Sequence, residues 1–422
     1  MIILFRKFTL IIYSKHVIIL QYYVYKNTNK QQGEKNMFPE QSILRIPGPT
    51  PLPPSVLSAL QRPMIGHRGE EITALVESIQ QRLKPLFGTN EDVLLIAGTG
   101  TSALEASVVN TVSAGDEVLV LVTGSFGDRF AKICREFGMI VRTVDVTWGE
   151  AVHPEDVVQA LKTYPHIKAV FMTHCETSTG VLNPVESLSK TIREQTDALI
   201  IVDGVSSVGG TPTYMDDWGV DIYVSGSQKA LMAPAGLACV AVSERAWETI
   251  ENNDTPRFYF DFLAYRKAIQ NNYTPFTAAI SLLYALDASL ALIDKEGVNE
   301  VYRRHELLRN MTRSAAEALN LPLFSEEEFG AYTVTTIQPR DVDADELRAF
   351  THKNFGLQLA GGQQHMAGKL IRIGHMGFCT PADTLQVVSI LEIGLEALGK
   401  SNPKGSGVAA AQSVFLRQEL NI

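Results

Sequence analysis

Lys229 lies in the run Val224-Ser225-Gly226-Ser227-Gln228-Lys229-Ala230. Asp203 closes the apolar run Ala198-Leu199-Ile200-Ile201-Val202, 26 residues upstream. An acid ending a buried strand and a lysine in a loop of small residues are the pair that pyridoxal 5'-phosphate chemistry requires. The amine condenses with the cofactor's aldehyde, and the carboxylate keeps the pyridine nitrogen protonated so that the ring accepts electrons from a substrate carbanion. A third run, Ala97-Gly98-Thr99-Gly100-Thr101-Ser102-Ala103, falls between an expected strand and an expected helix. Its glycines let the backbone curl, the first helical amides point at an anion, and the hydroxyls of Thr99, Thr101 and Ser102 can add donors. The same run fits a loose dinucleotide pattern. That site, however, needs an acid at the end of the next strand, where Val122 stands. A purely structural turn is the remaining alternative.

Further candidates follow other expected strands. Phe126, in Thr123-Gly124-Ser125-Phe126-Gly127, is either core packing or a ring that stacks on the cofactor; its place at the same sheet edge as the glycine loop favours stacking. In Thr173-His174-Cys175-Glu176-Thr177-Ser178-Thr179-Gly180, Ser178 can reach cofactor or substrate. His174 reads as a structural histidine before it reads as a base, and a nucleophilic Cys175 is a minor alternative. Leu370-Ile371-Arg372-Ile373-Gly374 puts a guanidinium inside an apolar strand, which demands an anionic partner. That partner is either an internal acid or a substrate carboxylate held bidentately.

The elements that position these groups are legible as an alternation. Runs 93–96, 117–122, 140–144, 169–173, 199–203, 221–225 and 237–242 read as buried strands. Stretches 102–112, 129–137, 154–164 and 184–195 read as helices. The pattern predicts an α/β fold whose mostly parallel seven-stranded sheet binds ligand at the carboxyl ends of its strands. Helices are expected at 71–87 (stopped by Gly88), 275–295 and 298–319. A strand–helix–strand–helix pattern then suggests a smaller C-terminal α+β domain. The expected organisation is an N-terminal arm over 37–60, a large domain over 61–293, a small domain over 294–400 and a flexible tail over 401–422.

Residues 1–36 differ in character, being rich in Ile, Leu and Tyr but broken by Arg6, Lys7, Lys15 and His16. The longest unbroken stretch is too short to span a bilayer. These residues read as an extension upstream of a natural start at Met37, with a membrane-associating segment as the alternative. The 422-residue chain has a formal net charge of −9 and no strongly basic patch, which argues against nucleic-acid and anionic-membrane partners. Its four cysteines are scattered and form no CxxC, so a reducing, cytoplasmic setting is expected. Its histidines show no metal-ligand spacing.

Taken together, Pro47-Gly48-Pro49, Gly98-Thr99-Gly100 with Ala103-Leu104-Glu105-Ala106, Thr173-His174 with Ser178-Thr179-Gly180-Val181, Ser225-Gly226-Ser227-Gln228-Lys229-Ala230 and Leu370-Ile371-Arg372-Ile373-Gly374 resemble class V pyridoxal phosphate-dependent aminotransferases of the alanine–glyoxylate and serine–pyruvate group. The likeness runs from about residue 45 to 398. It implies fold type I of the pyridoxal phosphate-dependent transferases, with Lys229 as Schiff-base lysine and catalytic base and Asp203 on the pyridine nitrogen. It also implies that Gly100, Thr101 and Gln228 hold the phosphate, that Phe126 stacks on the ring and that Ser178 contacts the cofactor. Arg372, helped by the backbone of Gly48, would bind the substrate carboxylate.

The resemblance further implies a homodimer with shared active sites, to which Thr274 and Tyr273 contribute across the interface. Asn271 replaces a tyrosine usual three positions before that threonine. His67 and Arg68 fall where some relatives reach toward the neighbouring site. The implied reaction is ping-pong transfer of an amino group from a small amino acid, alanine or serine, to glyoxylate or pyruvate. Ureidoglycine is an alternative donor. A cysteine desulfurase is a more distant alternative, because Gln228 and Phe126 stand where those enzymes carry histidines.

Overall fold

Seven apolar runs become the seven strands of one sheet in a computed structural model of the chain: β1 Val93–Ala97, β2 Glu117–Val122, β3 Ile140–Asp145, β4 Ala169–Thr173, β5 Leu199–Asp203, β6 Ile222–Gly226 and β7 Leu237–Val242. Strands β4 to β7 are buried along their whole length, as strands covered on both faces must be. The spatial order is β1-β7-β6-β5-β4-β2-β3. All neighbours are parallel except β7, which runs antiparallel to both β6 and β1. The carboxyl ends of β1, β2, β4, β5 and β6 therefore share one edge of the sheet.

The structure describes residues 42–400 and 403–420, together with the backbone of three short antiparallel strands, Ile2–Phe5, Phe8–Tyr13 and His16–Leu20. Those strands belong to a unit of residues 1–38, separate from the unit of residues 39–422. The remainder of the expected extension, with the start at Met37, lies outside the described residues.

Helices fill the connections close to the expected places. Helix α1, Glu70–Phe87, ends on Gly88 in the left-handed conformation. Helices α2 Gly100–Thr111 and α3 Ser125–Glu136 both begin earlier than the apolar periodicity indicates. Phe126 thus sits in the first turn of α3 instead of in a loop, with Gly127 and Phe130 buried on one side of the helix and Arg129 exposed on the other. Helices α4 Pro154–Thr163 and α5 Val185–Gln195 follow as expected. Helix α6, Ile280–Glu296, starts later than residue 275; before it, Thr274 donates its hydroxyl to the carbonyl of Phe276 in a turn.

Buried apolar side chains gather in two cores. The first surrounds the sheet and extends to Val301. The second lies between α7 Val298–Ala318, α8 Ala344–Phe355 and α9 Pro381–Ala397. It packs beside a small antiparallel sheet of β8 Val334–Ile337, β9 Ala360–Gly361 and β10 Ile371–Gly374. The N-terminal arm joins this region: Ile43–Leu44 pairs with Leu357–Gln358, and Arg45 forms an ion pair with Asp383.

The tail corrects an expectation. Ser406–Glu419 is a helix, α10, and not a flexible end. Gly407, Ala411 and Val414 recur at helical spacing and are buried, and α10 packs along α7 and α9. The Gly407 amide donates to Glu392 (2.8 Å) and Glu419 pairs with Arg303 (2.6 Å). The glycines and serine ahead of the stripe mask it in a reading by composition.

Candidate active site

A cavity of about 120 Å³ opens at the shared edge of the sheet. Five of the seven strands contribute to it at or just after their carboxyl ends: Thr99, Gly100 and Thr101 after β1, Phe126 and Arg129 after β2, Cys175 after β4, Asp203 on β5, and Gln228 and Lys229 after β6. Five chain segments remote in sequence converge because parallel strands in register end side by side. Asp203 stands level with Thr173 of β4 and Val224 of β6.

Burial changes how Lys229 titrates. Loss of water around the amine lowers its pKa from 10.5 to about 8. Nζ donates to the carbonyl of Pro47, so the N-terminal arm closes over the lysine. Asp203 is buried as well, and desolvation raises its pKa to about 6, partly opposed by the Val205 amide that donates to Oδ1 (2.9 Å). It has no ion-pair partner among the described residues. Gly100 opens α2 where a β-carbon would lie 2.5 Å from Val205, so the backbone amides at this helix start line the cavity unscreened. Gln228 Oε1 is buried with no partner in the protein, which leaves its amide free to turn toward a ligand. A desolvated lysine, an unpaired buried carboxylate, an anion-ready helix start and an orphaned amide suit pyridoxal phosphate.

Other candidates divide. Phe126 lines the cavity, with the guanidinium of Arg129 4.7 Å from its ring centre. Thr101 lines it too and accepts a hydrogen bond from Arg129 Nη1 (3.2 Å). The Ser102 hydroxyl turns back to the Thr99 carbonyl (2.7 Å) and is engaged in starting the helix. Ser178 is fully buried off the cavity wall, donating to Glu176 Oε1 (2.5 Å) and accepting from the Ser125 amide (2.9 Å). His174 is locked by the Tyr223 hydroxyl on Nδ1 (2.5 Å), and burial drops its pKa to about 3, which fits the structural reading. Cys175 reaches the cavity, but burial pushes its thiol up to about 12, far from a nucleophilic thiolate.

Arg372 lies on β10 opposite Thr336 and Ala360. It is buried, and its guanidinium donates to two backbone carbonyls, Gly361 (2.7 Å) and Thr177 (3.0 Å). No carboxylate lies within ion-pair distance of it among the described residues. Burial lowers its pKa to about 10, and the one acid that opposes this shift, the buried Glu176, acts on it through space without an ion pair. Gly48 lies against Lys229, with a positive φ of 86°. Thr274 and Tyr273 are not part of the cavity in their own chain. They come together with the loop carrying Arg68, whose guanidinium is 5.6 Å from the Tyr273 ring centre and donates to the Pro275 carbonyl (3.3 Å).

Two participants escape a reading by sequence. Arg129 follows Phe126 by three residues and shares its helix face, a signal visible only once α3 is known to begin at Ser125. Glu176 is a lone acid between Cys175 and Thr177 and is completely buried.

Residues 44–380 match the model of the family "Aminotransferase class-V". The chain belongs to the class-V aminotransferases. It is 41% identical over 379 residues to the "Soluble hydrogenase, small subunit" of Synechococcus sp., covering 89% of this chain and 99% of that protein. It is 35% identical to the serine–glyoxylate aminotransferase of Methylorubrum extorquens, covering 90% and 97%. The crystal structure of an alanine–glyoxylate aminotransferase from Nostoc sp. superposes with a TM-score of 0.80 at 34% identity, covering 84% and 95%. This class-V aminotransferase has the family's α/β fold. Among its described residues no helix is long and apolar enough to cross a membrane, and no cluster of metal-ligating side chains occurs.

Proposed function

We propose that this aminotransferase uses pyridoxal 5'-phosphate to move an amino group from a small amino acid, alanine or serine, to glyoxylate or pyruvate in a ping-pong cycle. The observation that carries the reading is the desolvated Lys229 facing the same small cavity as Asp203 and the start of α2. Bound there, the cofactor supplies an aldehyde that captures the amino group and a ring that takes up the electrons released with the α-proton.

Lys229 moves that proton. With a pKa near 8, Nζ is neutral in roughly a tenth of the molecules at pH 7 and can accept a proton from the substrate's α-carbon, then release it to the carbon on the far side of the amino nitrogen, two bonds away. Asp203, with a pKa near 6, is mostly ionised at neutral pH and sets a negative charge against the ring nitrogen. The amides of Gly100 and Thr101 and the Gln228 side chain hold the phosphate. Phe126 covers the ring, and Ser178, off the cavity wall, accepts from the Ser125 amide at the start of the helix that carries Phe126. Arg372 binds the substrate carboxylate, with the Gly48 backbone forming the adjoining wall. Both substrates carry an α-carboxylate, so one arginine serves both halves of the cycle.

The reading includes a homodimer. Tyr273 and Thr274 lie outside their own chain's cavity, with Arg68 against the Tyr273 ring and the Pro275 carbonyl, an arrangement suited to completing a partner's phosphate site. The deciding experiment follows the visible absorbance of the purified protein while amino acids are added singly. Bleaching by alanine or serine and recovery with glyoxylate or pyruvate are expected. Colour that ignores these but responds to ureidoglycine would reassign the donor, and failure to take up the cofactor would overturn the reading.

A further inference from the structure

Glu176 has no part in the chemistry described so far, yet few acids in the chain are as deeply buried. Its two oxygens accept four hydrogen bonds. Oε2 takes the amides of Phe126 (3.0 Å) and Gly127 (3.1 Å), and Oε1 takes the amide (3.1 Å) and the hydroxyl (2.5 Å) of Ser178. No lysine, arginine or histidine lies within ion-pair distance of it among the described residues. A carboxylate held this way caps the N-terminus of α3 from a different segment of chain, where the helix dipole favours negative charge. The packing is tight: a β-carbon on Gly124 would lie 2.6 Å from Glu176 Cδ.

The two ends of this bracket are the two surfaces a substrate complex needs. One is Phe126, in the first turn of α3 and on the cavity wall. The other is the Thr177 carbonyl, flanked by Glu176 and Ser178, which accepts from Arg372 Nη1 (3.0 Å). We propose that Glu176 is a positioning residue that fixes the cofactor-covering ring of Phe126 relative to the carboxylate-binding guanidinium of Arg372. The geometry assigns it no contact with substrate. It acts by keeping the loop 174–180 and the start of α3 in a single arrangement. This rests on the function proposed above.

Glu176→Gln is the test, made on the full-length protein loaded with pyridoxal phosphate. Glutamine keeps the shape but offers one accepting oxygen, and its amide group faces donors that it cannot satisfy. Leaving buried donors unpaired should shift both ends of the bracket. KM for alanine and KM for glyoxylate are expected to rise together by about tenfold while kcat stays within about threefold. The dissociation constant of pyridoxal phosphate, titrated into the apo-protein, is expected to rise by about tenfold. A purely structural acid would lower the unfolding temperature and leave both KM values and the cofactor affinity unchanged, and that result overturns the proposal. If Glu176→Gln does not fold, Ser178→Ala removes one arm of the bracket. It should raise both KM values in the same direction, and unchanged values would equally overturn the proposal. A wild-type protein that neither binds pyridoxal phosphate nor transaminates overturns the functional reading. An active wild type with an unmoved variant overturns only the role of Glu176.

Discussion

Gly48 leaves no room for a side chain against Lys229. A β-carbon built at Gly48 would lie 2.7 Å from Lys229 Nζ and 2.8 Å from Cε, and its φ of 86° disfavours any side chain. The N-terminal arm is thus pressed onto the amine proposed to carry the chemistry. Gly48→Ala should displace Lys229 and destabilise the fold by about 2 kcal/mol, from overpacking together with the unfavourable φ. Turnover and denaturant unfolding of the variant check this, and wild-type turnover would contradict the packing.

Lys229→Ala should lower turnover by at least about 10³-fold, the scale of a lost general acid–base group. The variant is expected to retain weak cofactor binding, because the helix start, Gln228 and Asp203 remain. Transamination rates and cofactor absorbance after dialysis read the two effects separately.

The depressed pKa of Lys229 is directly measurable in the apo-protein. Labelling of this amine by an amine-selective reagent should rise with a midpoint near pH 8 instead of 10.5. The unfolded chain binds this proton up to 10.5 and the folded chain only to about 8. Between those values the unfolded state holds more protons, so the contribution of Lys229 to stability grows as pH rises through the window. A labelling midpoint above pH 10 would show that the amine is not desolvated.

Asp203→Asn should separate stability from function. Burial raises the Asp203 pKa from 3.8 to about 6, so the folded state holds the extra proton in that window and the residue's contribution to stability falls as pH rises through it. Replacing the charge at pH 7.5 should leave the unfolding temperature equal or higher while kcat drops by roughly 10²-fold or more, because a preorganised charge is lost. A large loss of stability would mark Asp203 as structural.

Arg372→Lys should raise KM for the amino donor and the oxo acceptor alike, lowering kcat/KM by roughly 10²-fold, since an ammonium cannot reproduce a two-pronged grip. Steady-state kinetics with both substrates varied decide this. An effect confined to one substrate would remove Arg372 from the shared carboxylate site.

Much of this architecture was legible in the chain alone. The seven buried strands are near-continuous apolar runs, and such runs have few other ways to escape water. Lys229, Asp203 and the glycine loop were legible because their chemistry ties residue type to position at strand ends. Arg372 was legible as a site that needs an anion, but the sequence left open whether an internal acid supplies it. Only the tertiary structure shows that the guanidinium is held by the carbonyls of Gly361 and Thr177 and makes no ion pair among the described residues. Glu176 and Arg129 were hidden for a related reason. Their roles depend on which distant backbone groups meet them, and spacing along one segment carries no information about that. The closing helix α10 was missed because small residues bury as effectively as large ones when two helices approach closely, yet they read as linker. Local periodicity and chemical type determined the elements and singled out the pair proposed to react. Packing between segments far apart in the chain decided which polar groups are paired, which are left for a ligand and which hold the others in place.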